Sequence, residues 1–456
     1  MTAIAFRPAA PFPLEKPLGL FARIATLRRN PIEIWTKAHY ERPVMVGRTV
    51  FGHRAVVSDP QGVRRVLLDQ VANYRKDDLQ LRILRPGLGN GLLTADGEDW
   101  RAQRRSLAPL FTPRQVSAFA EAMAAATRAG VERLAQRDAQ PFDLAHEMAR
   151  LTLEILEHTL FSSGLGRDTS EFQLAVSRYF DTIGRINLLD LIGMPAFLPR
   201  FGQRGSRAVL EWFGKAVEDI IGARRTLIAT GAAPPRDILT LLLQAQDPET
   251  GRGMPEEDLR ANIVTFIGAG HETTANALTW TFYLLSQDPD WRARVEAEAD
   301  AELGTGPMDT LADRMPVTRA VLEEALRLYP PAAILTRTAI ADDEIGGKKI
   351  RAGTLVTVSP FLLHRHQTLW ERPDQFDPTR FLPANRDRID RFAYIPFGAG
   401  PRVCIGMGFA LQEAIIMLAH LTRAFRFDLM PGHVVKPVQR ITLRPQGGMP
   451  MTMLRR

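Results

Sequence analysis

Residues 397–406 read FGAGPRVCIG and contain Cys404, the only cysteine in a chain of 456 residues. Arg402 stands two positions before it, and Gly398, Gly400 and Gly406 surround it. The stretch MGFALQEAIIMLAHLTRAF that follows puts Ala410, Ala414, Met417 and Leu421 on one side of a predicted helix. A thiol beside a guanidinium and at the start of a helix is favoured as the thiolate, the form that attacks electrophiles or ligates a metal. The glycines let the backbone turn sharply and let a flat object approach with no Cβ in its way. A free cysteine is more often a small core residue, and a single one builds neither an internal disulfide nor a zinc site of several thiolates.

Other groups able to do chemistry lie far from this loop. AGHETT, residues 269–274, sits in a helical stretch running from about Asp258 to Ser286. A helix of roughly thirty residues is on the order of 45 Å long, enough to cross a domain. Glu272 and Thr273 pair a carboxylate with a hydroxyl, which together relay protons through ordered water; a plain polar patch is the ordinary alternative. Gly268 and Gly270 are expected to let the helix widen locally. Further on, EALR places Glu324 and Arg327 on one face of a helix bounded by Pro316 and Pro330, and WRAQR places Trp100 and Arg104 one turn apart. Each is common on protein surfaces when taken alone.

These residues need elements to hold them. Residues 43–59 alternate β-branched residues with Gly47 and Gly52 at turn positions, which predicts a hairpin. Helical periodicity runs from about residue 97 to 330, with Leu210, Phe213, Val217 and Ile220 making one such face. Strand character returns over 334–359, with a tight turn at Gly346 and Gly347, and a Pro/Arg/Asp-rich meander runs from His364 to about Ile395. Irregular stretches of that length usually have a function. The two strand-rich regions are expected to share one minor sheet.

Composition narrows the function classes. The chain is 45% hydrophobic and 24% charged, as expected of a globular protein that buries a large core. Its net charge is +7, but only seven of its 58 basic residues are lysine and the arginines are scattered along the chain. That argues against a nucleic-acid-binding stripe. The N-terminal stretch is broken by Pro8, Pro11, Pro13 and Pro17. No signal segment or membrane anchor is therefore expected, and the protein reads as cytoplasmic.

The loop matches F-x-x-G-x-R-x-C-x-G and resembles the haem-binding loop of the cytochrome P-450 superfamily, in particular its bacterial soluble type. The other three motifs follow the order found in that family. The resemblance implies a mainly α fold with a minor β region, a triangular helical body with a long central helix crossing the haem. It also implies a single domain over residues 1–456, with β-rich portions at 43–60 and 334–359, a helical body over 97–330 and the ligand loop at 397–406. By the same resemblance Cys404 is the axial ligand of the iron of haem b, Phe397 packs near the sulfur, and Arg402, Trp100, Arg104, Arg337 and Lys76 face the propionates. Ala269 and Gly270 then border the haem, Glu272 and Thr273 deliver protons, and Glu324, Arg327 and Arg380 lock the meander.

The implied function is a haem-thiolate monooxygenase that inserts one atom of dioxygen into a small apolar substrate, by hydroxylation or epoxidation. Pocket walls are expected from Leu79–Thr94, Tyr179–Arg200, Ile263–Ala269 and Ala332–Leu335. With about fifty residues after the cysteine, no fused reductase is expected. Electrons are expected from a ferredoxin and an NAD(P)H-dependent ferredoxin reductase, the ferredoxin docking near Arg101, Arg105 and Arg114. Rival readings are a peroxide-driven hydroxylase, an isomerase and, least favoured, a non-catalytic haem sensor.

Overall fold

The computed structural model describes residues 6–50, 52–137, 140–162, 175, 176, 179 and 206–456. Contacts group the chain into two compact units: residues 1–77, 127–149 and 273–456 form one, and residues 78–126 and 150–272 the other.

The first unit holds the expected minor sheet. Strands β1 (Val44–Thr49) and β2 (Gly52–Val57) form the predicted hairpin, and β3 (Tyr74–Lys76), β4 (Leu335–Ala339) and β5 (Leu355–Val358) complete the order β1-β2-β5-β4-β3. Only β2 and β5 pair in parallel; the other neighbours are antiparallel. The two strand-rich regions therefore meet as expected, whereas β3, three residues long, carried no strand pattern. The tight turn at Gly346 and Gly347 also forms, both residues taking positive φ. One face of the sheet is packed by Val57, Val63, Val66, Tyr74, Val356 and Val358, and Ile395 joins this cluster just before the cysteine loop.

The same unit explains how the meander is held. Helix α5 (Pro316–Leu328) starts on Pro316, whose missing N–H is not needed in the first turn. The Glu298 carboxylate accepts from the N–H groups of Val317 and Thr318, at 2.8 and 2.7 Å. On the helix Glu324 and Arg327 make two parallel hydrogen bonds of 2.7 and 2.8 Å, both side chains being completely buried. The remaining Arg327 hydrogens go to the carbonyls of His364, Pro373 and Gln375, all in the meander, at 2.7–2.9 Å. Glu324 also accepts the Asp377 N–H at 2.9 Å, and Arg380 lies 3.7 Å from the same carboxylate. His364 continues the chain of contacts. Its Nε2 accepts the Ile395 N–H at 2.9 Å, and burial pushes its pKa down to about 3, so the ring is neutral.

The second unit is helical. It contains α2 (Asp78–Leu88), α3 (Gly97–Leu107), Ser206–Ala229 and the first half of the central helix α4 (Glu256–Gln287), whose second half belongs to the first unit. On Ser206–Ala229 Phe213 and Val217 are buried and Ile220 half-buried, as the periodicity predicted; the Leu210 side chain lies outside those described. Asn262 of α4 accepts the Leu92 N–H at 2.8 Å and donates to Gln103 of α3 at 3.1 Å. A Cβ on Gly91 would stand 2.8 Å from the Ala261 carbonyl oxygen. The loop before α3 can lie this close to α4 only because residue 91 has no side chain.

Removing one partner of a buried ion pair leaves a charge without compensation. Glu324→Ala is expected to lower the stability of the protein by about 3–5 kcal/mol in denaturant unfolding, whereas removal of an exposed pair such as Arg225–Glu256 should cost at most about 1 kcal/mol.

Candidate functional site

The cysteine loop is shaped by its glycines. Gly398 and Gly400 take φ of +74° and +70°, where a side chain is strained. At Gly400 a Cβ would meet the Leu67 carbonyl oxygen at 1.8 Å, so no other residue fits that turn. The Cys404 N–H donates to the Phe397 carbonyl at 2.9 Å and closes the loop. Cys404 is exposed and stands three residues before α6 (Met407–Ala424). A buried core cysteine, the ordinary alternative, is thereby excluded.

The sheet adds two cations in the first unit. Lys76 of β3 and Arg337 of β4 are directly opposite each other in the antiparallel register, so their side chains share a face. Lys76 is buried and Arg337 half-buried. Two cations set opposite each other make this face of the sheet suited to an anion. Arg337 also donates to the Thr336 carbonyl at 2.8 Å. Arg402 is half-buried within the loop. In the second unit Trp100 is buried and Arg104 half-buried on the same face of α3.

The central helix is buried on nearly all sides from Ala261 to Leu285. The exceptions are Phe266, Ala269, Gly270, Glu272 and Thr273. Residues 266, 269, 270 and 273 follow helical spacing and make one less buried stripe, of which only Ala269 is exposed, apolar except for the Thr273 hydroxyl and with Glu272 at its edge. The stripe stands out only in the structure, because the sequence shows no polarity change along it. The expected widening of the helix is absent, since residues 256–287 are α-helical throughout. The lack of a side chain at Gly270 serves packing instead: a Cβ there would stand 2.6 Å from Leu156 Cδ1. His271 is buried, its Nδ1 at 2.7 Å from the Ile267 carbonyl, and burial lowers its pKa. It is a neutral packing residue and no ligand.

The structure also describes neighbours of the expected docking and pocket residues. Arg105 is held by Asp247 at 2.8 Å and by Glu249 at 3.3 Å, and Arg101 pairs with Glu98. Arg114, the third cation of the docking face expected there, is exposed. Of the expected pocket walls, Tyr179 is buried and donates to the Gly87 carbonyl; residues 180–200 lie outside those described.

Sequence reasoning overlooked Glu413. It lies nine residues after the cysteine on α6, and its carboxyl is completely buried. Burial raises its pKa well above the ordinary value, and only Thr274 of α4 partly opposes the rise. The signal was present: an acid in the middle of the apolar run FALQEAIIML has no reason to face solvent.

The family model described as Cytochrome P450 matches residues 13–450. The chain belongs to the cytochrome P450 family. It is 36% identical to the cyclooctatin synthase of Streptomyces melanosporofaciens, over 79% of this chain and 77% of that protein. It is 35% identical to the cyclooctat-9-en-7-ol 5-monooxygenase of the same organism, over 76% and 74%. The crystal structure of the cytochrome P450DA heme domain superposes with a TM-score of 0.84 at 27% identity, covering 98% of each chain. These establish a P450 monooxygenase with the mainly helical P450 fold, and the family implies a haem. The side chains fit that group. An exposed thiol suits iron, and the Lys76–Arg337 pair suits a carboxylate.

The Glu413 carboxyl keeps its proton to higher pH in the folded protein than in the unfolded chain. Above the unfolded value, near 4.5, the folded state therefore binds more protons. The associated stability is complete below that pH and is lost as pH rises. Glu413→Gln should leave the unfolding temperature at pH 4.5 almost unchanged and raise it, relative to the parent, progressively from pH 5 to 8.

Proposed function

We propose that in this P450, a single catalytic domain, the Cys404 thiolate would hold the iron of a haem b, and that the loaded enzyme oxygenates a small apolar molecule. The observation that carries this reading is the sole cysteine, exposed on a glycine-shaped loop at the start of α6. By the family resemblance Phe397 would lie beside the sulfur, Arg402, Lys76, Arg337 and Arg104 would offset the propionate charges, Trp100 would donate its indole N–H to one of them, and Ala269 and Gly270 would border the ring. Bound there, the haem supplies activation of dioxygen and transfer of one oxygen atom to a C–H bond or double bond. Splitting dioxygen consumes two protons in a place that must exclude bulk water. Glu272 takes them from solvent and Thr273 holds one at its Oγ1, on the less buried stripe of α4. Glu324, Arg327 and Arg380 act at a distance, by fixing the meander that leads into the loop.

The substrate class follows from the stripe and from the relatives. Phe266, Ala269 and Gly270 offer an apolar wall, and one relative named above oxidises a cyclic alkenol, cyclooctat-9-en-7-ol. An apolar ring compound with few hydroxyls is the class we assign. Electrons come one at a time from a ferredoxin and its NAD(P)H-dependent reductase in the cytoplasm.

Thr273→Ala tests the proton route. With substrate and reduced ferredoxin, the variant should consume NAD(P)H at a rate close to that of the parent while product per NAD(P)H falls about tenfold or more and hydrogen peroxide rises to match. Unchanged coupling would remove Thr273 from the reaction. Faster turnover with hydrogen peroxide than with ferredoxin, in the parent protein, would favour the peroxide-driven reading instead.

A further inference from the structure

Asn30 joins parts of the chain 407 residues apart. It follows helix α1 (Leu20–Arg29), where its N–H donates to the Thr26 carbonyl at 2.7 Å and its own carbonyl accepts the Glu33 N–H at 3.0 Å. The backbone is therefore fixed from both sides, and the side chain, 4% exposed, points into the protein. Its amide nitrogen donates to the Pro437 carbonyl at 3.0 Å and to Glu33 Oε1 at 2.9 Å, and its oxygen accepts the Gln439 N–H at 3.0 Å. Both hydrogens and the oxygen of the amide are in use. A carbonyl and an N–H two residues apart on one strand edge are what a neighbouring strand would bind, so the Asn30 amide stands in for one.

The edge belongs to a small hairpin. Strands β6 (Pro437–Gln439) and β7 (Leu443–Pro445) pair in antiparallel register, and the Arg440 N–H donates to the Thr442 carbonyl at 3.0 Å, which leaves Ile441 at the tip. Two strands alone are marginally stable in water, and this pair is held from outside. Asn30 holds the free edge of β6. Along β7 the Trp280 indole donates to the Leu443 carbonyl at 3.1 Å, and the Leu443 N–H donates to the Pro331 carbonyl at 2.9 Å. Near the tip Arg440 donates to the Arg29 carbonyl at 2.6 Å, and Asn276 donates to Thr442 Oγ1 at 3.0 Å.

Asn276 and Trp280 share a face of α4 with Thr273, since positions 273, 276 and 280 are spaced by three and four. The hairpin lies on that face and holds Thr442 one helical turn from Thr273. All these residues fall in one compact unit. We infer that Asn30 is a positioning residue for substrate selection: by pinning β6 it fixes the hairpin tip as a wall beside Thr273, against which a large substrate packs. The inference rests on Thr273 standing where the substrate is oxygenated, as proposed above. Without Asn30 the free edge of β6 loses two buried hydrogen bonds and the tip loosens. A ligand that reaches the tip must then order it, which weakens binding; a ligand too small to reach it is unaffected.

Spectral titration of the haem-loaded full-length protein with imidazole and with 4-phenylimidazole tests this. Both bind iron through a ring nitrogen, and the second carries a further ring toward the walls of the site. In Asn30→Ala the dissociation constant of 4-phenylimidazole should rise about fivefold or more, and that of imidazole by less than about twofold. Arg440 is exposed, so Arg440→Ala should keep the parent unfolding temperature; it should move the ratio of the two constants in the same direction by roughly twofold, and it decides the case if Asn30→Ala fails to take up haem. A ratio unchanged in both variants would overturn the inference and leave the haem-thiolate reading intact. Equal weakening of both probes would also overturn it, since a merely structural latch loosens the whole site. A loaded parent with no spectral response to imidazole would overturn the inference and the reading beneath it together.

Discussion

A carboxylate and a guanidinium with no access to water, Glu324 and Arg327, hold the part of this molecule on which its chemistry depends. Burying two charges is costly, and their attraction offsets the cost only when every remaining hydrogen-bonding position is filled. Here it is. Arg327 spends its other hydrogens on three carbonyls of the meander, and Glu324 accepts a backbone N–H from the same segment. An irregular chain with little secondary structure of its own thereby acquires fixed attachment points. The meander then passes through Ile395, held by neutral His364 and packed in the sheet core, directly into the cysteine loop. The pair positions the thiol without touching it.

Backbone close approach does the rest of the positioning, and glycine makes it possible at both ends of the problem. Gly400 lets the cysteine loop press on the Leu67 carbonyl. Gly91 lets the segment before Trp100 and Arg104 press on the central helix. Gly270 does not loosen that helix but admits Leu156 to it. What stays less buried on the helix is a narrow stripe ending in Thr273, and Glu413 stands behind it as a neutral acid beside Thr274. The helix thus joins this stripe to a buried polar contact within two residues.

Much of this was legible in the sequence where local chemistry dictates local shape. The hairpin over residues 43–59, the turn at Gly346–Gly347, the helix bounded by Pro316 and Pro330 and the long helix around AGHETT all have short-range causes. What depended on distant partners was not legible. Strand β3 exists because Tyr74–Lys76 finds β4 some 260 residues later in the chain, and only that pairing reveals that Lys76 faces Arg337. The pairing of Arg105 with Asp247 and Glu249, acids brought in by folding, could not be read either, nor could the different use of Gly270.

The account stands or falls on the sulfur of Cys404 as a ligand of iron. Its most direct test is the absorbance spectrum of the reduced holoprotein under carbon monoxide, for the parent and for Cys404→Ser. The strongly red-displaced band of sulfur-ligated porphyrin should appear in the parent and vanish in the variant. Absence of that band from properly loaded parent protein, or its survival with serine in place, would contradict the central claim.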